Sequence, residues 1–265
     1  MSNTNTAYRC TLSWGRHGVL QAAQRGDVVV IVDVLSFSTA TAIAIQQGAF
    51  IYPCAYNEDP TILATRIGAE VAVMRNEVPH KGRFSLSPPT FLQIEPGTRV
   101  VVASPNGATC SRYAQQIDFL FAGSLLNAQA VASAVAEIME RHKLNVTVVA
   151  CGERWRPATE DGELRVALED FLGAGAILSA LPYRQSPDAQ VCTNAFIHSQ
   201  DRLAELLWDC DSGQELYEKG FAEDVRLAAR LNQYHTAPIM NGDHFELFDT
   251  TRRSRHAGPD QRPCS

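Results

Sequence analysis

The sequence predicts an α/β fold: a largely parallel sheet with flanking helices, two intimately packed lobes, and a site at the strand carboxyl ends. Two observations lead there. Short β-branched runs alternate with helical patterns along most of the chain, and parallel strands need crossover helices to join them. Four of the strand ends are followed by small, polar or charged residues, and in open parallel sheets ligands bind beyond those ends, where helix N-termini also point.

The elements follow in order. Val28 to Leu35 reads as a buried strand and Ser38 to Gln47 as the helix after it. Phe50 to Cys54 is a second strand, residues 59 to 68 a helix, and Val71 to Met74 a third strand. Thr98 to Ala103 leads into a helix over Ala108 to Gln116. Phe119 to Ala122 feeds the helix Ala128 to His142, and Val146 to Ala150 is another strand. From Glu163 the pattern turns mainly helical, with Gly173 and Gly175 suited to close helix packing and further helices over Arg202 to Trp208, Gln214 to Lys219 and Asp224 to Leu231. A last strand near Pro238 to Met240 returns to the sheet. Residues 76 to 98 carry four prolines and no periodicity, which makes them a candidate lid or substrate loop. Residues 1–250 read as one domain with a lobe boundary near 160, and residues 251–265 as a disordered tail.

Composition limits the function. The 265 residues are 45% hydrophobic and 20% charged, an ordinary globular balance. A net charge of −6 argues against a protein that coats nucleic acid. Seven scattered cysteines with no C-x-x-C pair fit free thiols rather than a disulfide framework or a zinc site. The polar start and the lack of a long uncharged apolar run predict a cytoplasmic protein with no membrane span. The sequence is compatible with a homodimer and does not fix the oligomeric state.

The residues that follow the strands carry the chemistry. Asp33 comes after five consecutive apolar residues. It either caps the next helix or acts as a metal ligand or catalytic group, since a buried carboxylate needs a compensating cation. Ser36, Ser38 and Thr39 are placed to cap that helix or to bind an anion there. Ser104, Asn106, Gly107 and Thr109 form a turn entering a helix, an anion cradle or merely a tight turn. It is not a Walker A loop, whose spacing and Lys are missing. Glu153 and Arg154 follow a strand, and Glu169 and Asp170 lie in a helix soon after. With Asp33 these carboxylates suit an oxygen-rich Mg²⁺ site; the alternative is that Glu169 or Asp170 is a solvated helix residue, and their neighbours Leu168, Phe171 and Leu172 are expected to put one of the pair on the apolar side. Arg154 is suited to pair with a phosphate or sulfonate, or with a surface carboxylate. Arg83, beside His80 and Lys81, belongs to a basic cluster on the candidate loop, which is either a solvated face, the default for such clusters, or, on a lid, a clamp for an anion.

Read together, the ordered blocks VDVLSFSTAT (Val32–Thr41), FSLSP (Phe84–Pro88), SPNGAT (Ser104–Thr109), GSLLN (Gly123–Asn127), ACGER (Ala150–Arg154), EDFLGAG (Glu169–Gly175) and GFAEDV (Gly220–Val225) resemble the 2-phosphosulfolactate phosphatase family. The resemblance implies Mg²⁺-dependent hydrolysis of the phosphate ester of 2-phospho-3-sulfolactate, or of a similar small doubly anionic metabolite, as in coenzyme M biosynthesis. It implies site roles for Asp33, Asn106, Glu153, Glu169 and Asp170, with Asp33, Glu169 and Asp170 as metal candidates. Members commonly carry Arg where this chain has Ser36, so fold and site chemistry transfer more firmly than the exact substrate.

The attacking group is either a metal-activated water or the Asp33 carboxylate. A haloacid-dehalogenase route is disfavoured because Leu35 stands where a second Asp is required, and C-x₅-R occurs at neither Cys110 nor Cys151. The rival from another class is a non-catalytic binding protein for a small anionic metabolite. Ser36 favours it, and the clustered carboxylates oppose it.

Overall fold

The computed structural model describes residues 9–159 and 162–249; the expected tail, 251–265, lies outside the described residues. Its centre is a nine-stranded sheet. In chain order the strands are β1 (Cys10–Trp14), β2 (Val28–Val32), β3 (Phe50–Ala55), β4 (Glu70–Val71), β5 (Arg99–Ser104), β6 (Leu120–Gly123) and β7 (Val146–Ala150), then β10 (Pro238–Asn241) and β11 (His244–Leu247). Between them a separate antiparallel ribbon pairs β8 (Glu153–Thr159) with β9 (Gly162–Arg165). The sheet order is β1-β7-β2-β6-β10-β11-β3-β5-β4. Pairing is parallel within β1-β7-β2-β6 and within β3-β5-β4, and the antiparallel hairpin β10–β11 joins the two blocks.

The helices are α1 (Gly15–Arg25), α2 (Phe37–Gln46), α3 (Pro60–Ile67), α4 (Gly107–Tyr113), α5 (Ala128–His142), α6 (Leu168–Ser179), α7 (Pro187–Ser199), α8 (Leu203–Asp209), α9 (Asp211–Glu218) and α10 (Ala222–Ala228). They cover both faces of the sheet, and β2 shows why its run of five apolar residues is needed. Side chains alternate along a strand. Val28, Val30 and Val32 enter a core with Val131 and Ile138 of α5 and Ile177 of α6. Val29 and Ile31 enter the opposite core, with Val19 of α1 and Ile43 of α2. Gly173 and Gly175 let α6 lie close to its neighbours: a Cβ on the first would stand 2.6 Å from Val34 Cγ2, and on the second 2.5 Å from the Cys192 carbonyl oxygen of α7.

Most expected elements are present with shifted ends. β2 stops at Val32 rather than Leu35 because the chain turns there, the Asp33 amide donating to Ser38 Oγ at 3.1 Å and the Ser38 amide to the Asp33 carbonyl at 2.8 Å. The start of the helical region is a correction: Leu164 and Val166, expected on a helix, lie in β9 and just after it, both exposed, and α6 begins only at Leu168. The aperiodic stretch 76 to 98 is anchored rather than free, since Phe84 and Phe91 are buried in the core and stack at 5.2 Å. The six cysteines among the described residues are free and buried. No helix among those residues is long and apolar enough to cross a membrane.

Candidate active site

The end of β2, the end of β5 and the start of β8 converge on a cavity of about 570 Å³. Asp33 sits at the first of these. Its Oδ2 accepts the Gly107 amide at 2.6 Å and its Oδ1 the Phe37 amide at 3.2 Å. The Gly107 bond fastens the start of α4 to the end of β2, so this carboxylate links the two parallel blocks, while the Phe37 bond holds the start of α2. Burial pushes the Asp33 carboxyl up to about 6, against these amide bonds and the charge of Arg75, and with the help of the Glu169 charge.

Glu153 opens β8 and lines the same cavity, its Oε2 accepting from Asn106 Nδ2 at 2.9 Å. Burial first, and then the Asp33 charge, push its carboxyl up to about 7, while the Asn106 bond and Arg165 oppose the shift. Such a group exchanges a proton near neutral pH.

Glu169 and Asp170 in the first turn of α6 are both buried, although neither lines the cavity. Asp170 accepts the Val34 amide at 2.7 Å and the Gly152 amide at 2.8 Å, which pins together the turns after β2 and β7. Burial raises its carboxyl well above the usual range, and the charges of Asp33, Glu169 and Glu153 add to the rise. Glu169 accepts a long bond from Cys210 Sγ at 3.5 Å.

Cations stand opposite these acids. Arg75 lines the cavity, its Nε donating to Asp224 Oδ2 at 3.0 Å and its Nη2 to Ser36 Oγ at 2.9 Å. Asp224 is itself buried and accepts a short bond from Ser87 Oγ, so the guanidinium is held on a fixed acid. Arg154, Arg165 and Lys219 complete the basic side. Arg154 lies 3.7 Å from Glu163, Arg165 pairs with Asp211 at 3.1 Å and Glu215 at 3.3 Å, and Lys219 lies 3.6 Å from Glu215.

Of the residues expected to bind substrate, Ser36, Ser104 and Asn106 line the cavity. Ser38, Thr39 and Thr109 stand behind it with their hydroxyls committed to backbone: Ser38 Oγ donates to the Ile31 carbonyl at 3.4 Å, Thr39 Oγ1 to Val34 at 2.8 Å, and Thr109 Oγ1 to Ser104 at 2.7 Å. Gly107 acts through its amide on Asp33. Arg83 is a correction. It lies on the surface, paired with Glu70 at 2.6 Å and Glu95 at 3.0 Å, and is not among the residues lining the cavity. Its charge is satisfied by two carboxylates 13 and 12 residues away.

Sequence reasoning missed Arg75, Arg165 and Lys219. Arg75 had a signal: it follows the apolar run Val71 to Met74, so the rule that pointed to Asp33 and Glu153 points to it as well. Arg165 sits in a segment whose apolar spacing resembles a helix.

The donor set suits a hard cation. Several buried carboxylates oppose one another's ionisation, and such a cluster calls for positive charge. No group of three His, Cys, Asp or Glu among the described residues forms a ready chelate. An ion here would take one or two carboxylates and complete its shell with water and substrate oxygens, which is the habit of Mg²⁺.

Residues 17–243 match the family described as 2-phosphosulpholactate phosphatase. A probable 2-phosphosulfolactate phosphatase of Carboxydothermus hydrogenoformans is 31% identical over 214 residues, 79% of this chain and 84% of the relative. A 2-phosphosulfolactate phosphatase of Methanothermobacter thermautotrophicus is 26% identical over 224 residues, 84% of this chain and 91% of that one. The chain belongs to the 2-phosphosulpholactate phosphatase family of phosphoric monoester hydrolases.

Proposed function

We propose that the protein is a Mg²⁺-dependent phosphatase that hydrolyses the phosphate ester of 2-phospho-3-sulfolactate, or of a similar small anionic metabolite, to the alcohol and phosphate. One observation carries the proposal: a single cavity sets the buried Asp33 and the half-buried Glu153 against Arg75, Arg154, Arg165 and Lys219. A site that only bound an anion would gain nothing from acids with raised pKa values at its floor.

Mg²⁺, held by Asp33 with Glu153 or Glu169 nearby, would neutralise charge on the transferred phosphoryl group. The chain's own residues do the rest. Arg154 and Arg165 bind and orient the phosphoryl oxygens, and Arg75 holds a second anionic group of the substrate. Glu153, with its carboxyl near 7, takes the proton of the attacking water. Asn106 keeps that carboxylate in place through its amide. Asp170 positions the two turns on which Asp33 and Glu153 sit.

The test is ³¹P NMR of 2-phospho-3-sulfolactate and a panel of small phosphate esters with Mg²⁺ or with EDTA. Selective, EDTA-sensitive release from phosphosulfolactate supports the full proposal, and selective release from another ester moves the substrate within it. Binding of these esters without release from any of them would make the protein an anion-binding module instead.

A further inference from the structure

Glu153 and Asn106 face a second space. Behind them lies a cavity of about 320 Å³ that shares Asn106, Glu153 and Arg154 with the first and, among the described residues, no others. The 2.9 Å bond from Asn106 Nδ2 to Glu153 Oε2 therefore stands in the wall between the two. The rest of the rear cavity comes from other elements: Gly15 to His17 where α1 begins, Cys110 on α4, Cys151 after β7 and Leu164 on β9. His17, Glu163 and Leu164 are exposed and line only the rear cavity, so it meets solvent at a place of its own.

Its make-up suits water. Arg16, His17, Asn106, Glu153, Arg154 and Glu163 supply donors and acceptors, and an ordered water needs about two to four such partners. Leu164 narrows the entrance. It lies over Gly15 and Gly152, so closely that a Cβ on either would stand 3.3 or 2.8 Å from its Cδ1. Arg16 at the entrance is paired with Glu163 at 2.5 Å, which favours a neutral guest over an anion. The reaction has a use for such a route. In-line displacement places the attacking and leaving oxygens on opposite sides of phosphorus. An ester that fills the first cavity with its leaving group toward the mouth turns the attacked face to Glu153 and the shared wall, and its own bulk closes the front to water.

We propose that the rear cavity is a water channel that supplies the attacking water to Glu153 while the ester occupies the first cavity. The inference rests on the phosphatase reading and adds how the nucleophile arrives. Water enters between His17 and Leu164, passes Cys110 and reaches the Asn106–Glu153 pair from the side away from the substrate.

The test uses the full chain with Mg²⁺ and takes Cys110 as a reporter, since it lines the rear cavity and not the first. Methyl methanethiosulfonate, a small reagent, caps an accessible thiol as its methyl disulfide, and peptide mass spectrometry locates the cap. Cys110 should be capped at the same rate with and without saturating inorganic phosphate, and far more slowly in Leu164→Trp. That variant should also lower kcat by about a hundredfold, the least that general-base transfer from a positioned water contributes, with KM unchanged. His17→Trp, on the other side of the entrance and away from Arg165, should act alike, and Leu164→Ala should keep the wild-type kcat. Protection of Cys110 by phosphate would show that the rear cavity opens only through the first, and would overturn the channel. So would a tryptophan variant in which Cys110 is shut off and kcat holds. Release from no ester would sink the phosphatase reading, and labelling would still decide the channel: one capping rate in the wild type and both tryptophan variants would overturn it.

Discussion

The raised carboxyl of Glu153 makes a prediction about stability that needs no substrate. Its folded pKa, about 7, lies above the ordinary glutamate value of 4.5. Between those values the folded protein binds more protons than the unfolded chain, so stability from this group is fully present below 4.5 and is lost as pH rises through 7. At about 1.4 kcal/mol per pKa unit, the loss is about 3 kcal/mol. Asp33, pushed from 3.8 to about 6, adds a loss of the same sign. The substitution Glu153→Gln keeps a side-chain oxygen for the Asn106 amide and removes the titration. Measured by thermal unfolding in EDTA, the variant should match the wild type at pH 4.5 and exceed it at pH 8. For a chain of this length about 3 kcal/mol corresponds to about 5 °C in Tm. Surface carboxylates titrate in both proteins alike, so the difference between them isolates position 153. A variant that is less stable than wild type at pH 8, or a difference that does not change with pH, would show that Glu153 is not held among the acids as described.

Other outcomes follow from the same geometry. Arg75→Ala should raise KM about tenfold or more with a smaller effect on kcat, since a hydrogen bond to a charged group contributes about 1.5–3 kcal/mol; the Asp224→Asn variant, which frees the guanidinium from its buried acid, should raise KM less. Gly107→Ala should cost activity in a phosphate-release assay while the fold survives by circular dichroism, because the new Cβ would stand 2.7 Å from Asp33 Oδ2 and 2.6 Å from a Phe37 ring carbon. Arg83→Ala should leave KM and kcat unchanged, its ion pairs being exposed and remote from the cavity; a raised KM would return Arg83 to the site.

Much of the site was legible because strand ends are legible. Five apolar residues before Asp33, and Val146–Ala150 before Glu153, mark where the backbone leaves the sheet. The buried pair in α6 was expected to place one acid on the apolar side, and both are there, because α6 is covered on most of its surface by β2, α5 and α7. What escaped depends on tertiary partners. Strand β1 is half-buried at four of its five positions, as a sheet edge is, so its sequence carries polar Thr11 and Ser13. The β8–β9 ribbon stands outside the main sheet, and the exposed Leu164 mimics a helical repeat. Helix α7 had the Ser186–Pro187 start signal, yet Val191 and Ile197 face solvent and blur its apolar stripe. A charge says nothing of its own partner: Arg83 and Arg75 look alike in sequence, and only the fold gives the first to Glu70 and Glu95 and the second to the cavity.

The most direct measurement is phosphate release from 2-phospho-3-sulfolactate by the wild type and by Asp33→Asn, each with Mg²⁺ and each checked for an intact fold. If Asp33 is the acid that links the two blocks and serves the phosphoryl group, the variant should lose about a hundredfold to a thousandfold in kcat/KM, the scale on which removal of a transition-state electrostatic contact is felt. An Asp33→Asn protein that folds and still turns over the ester near the wild-type rate would contradict the site proposed at the end of β2.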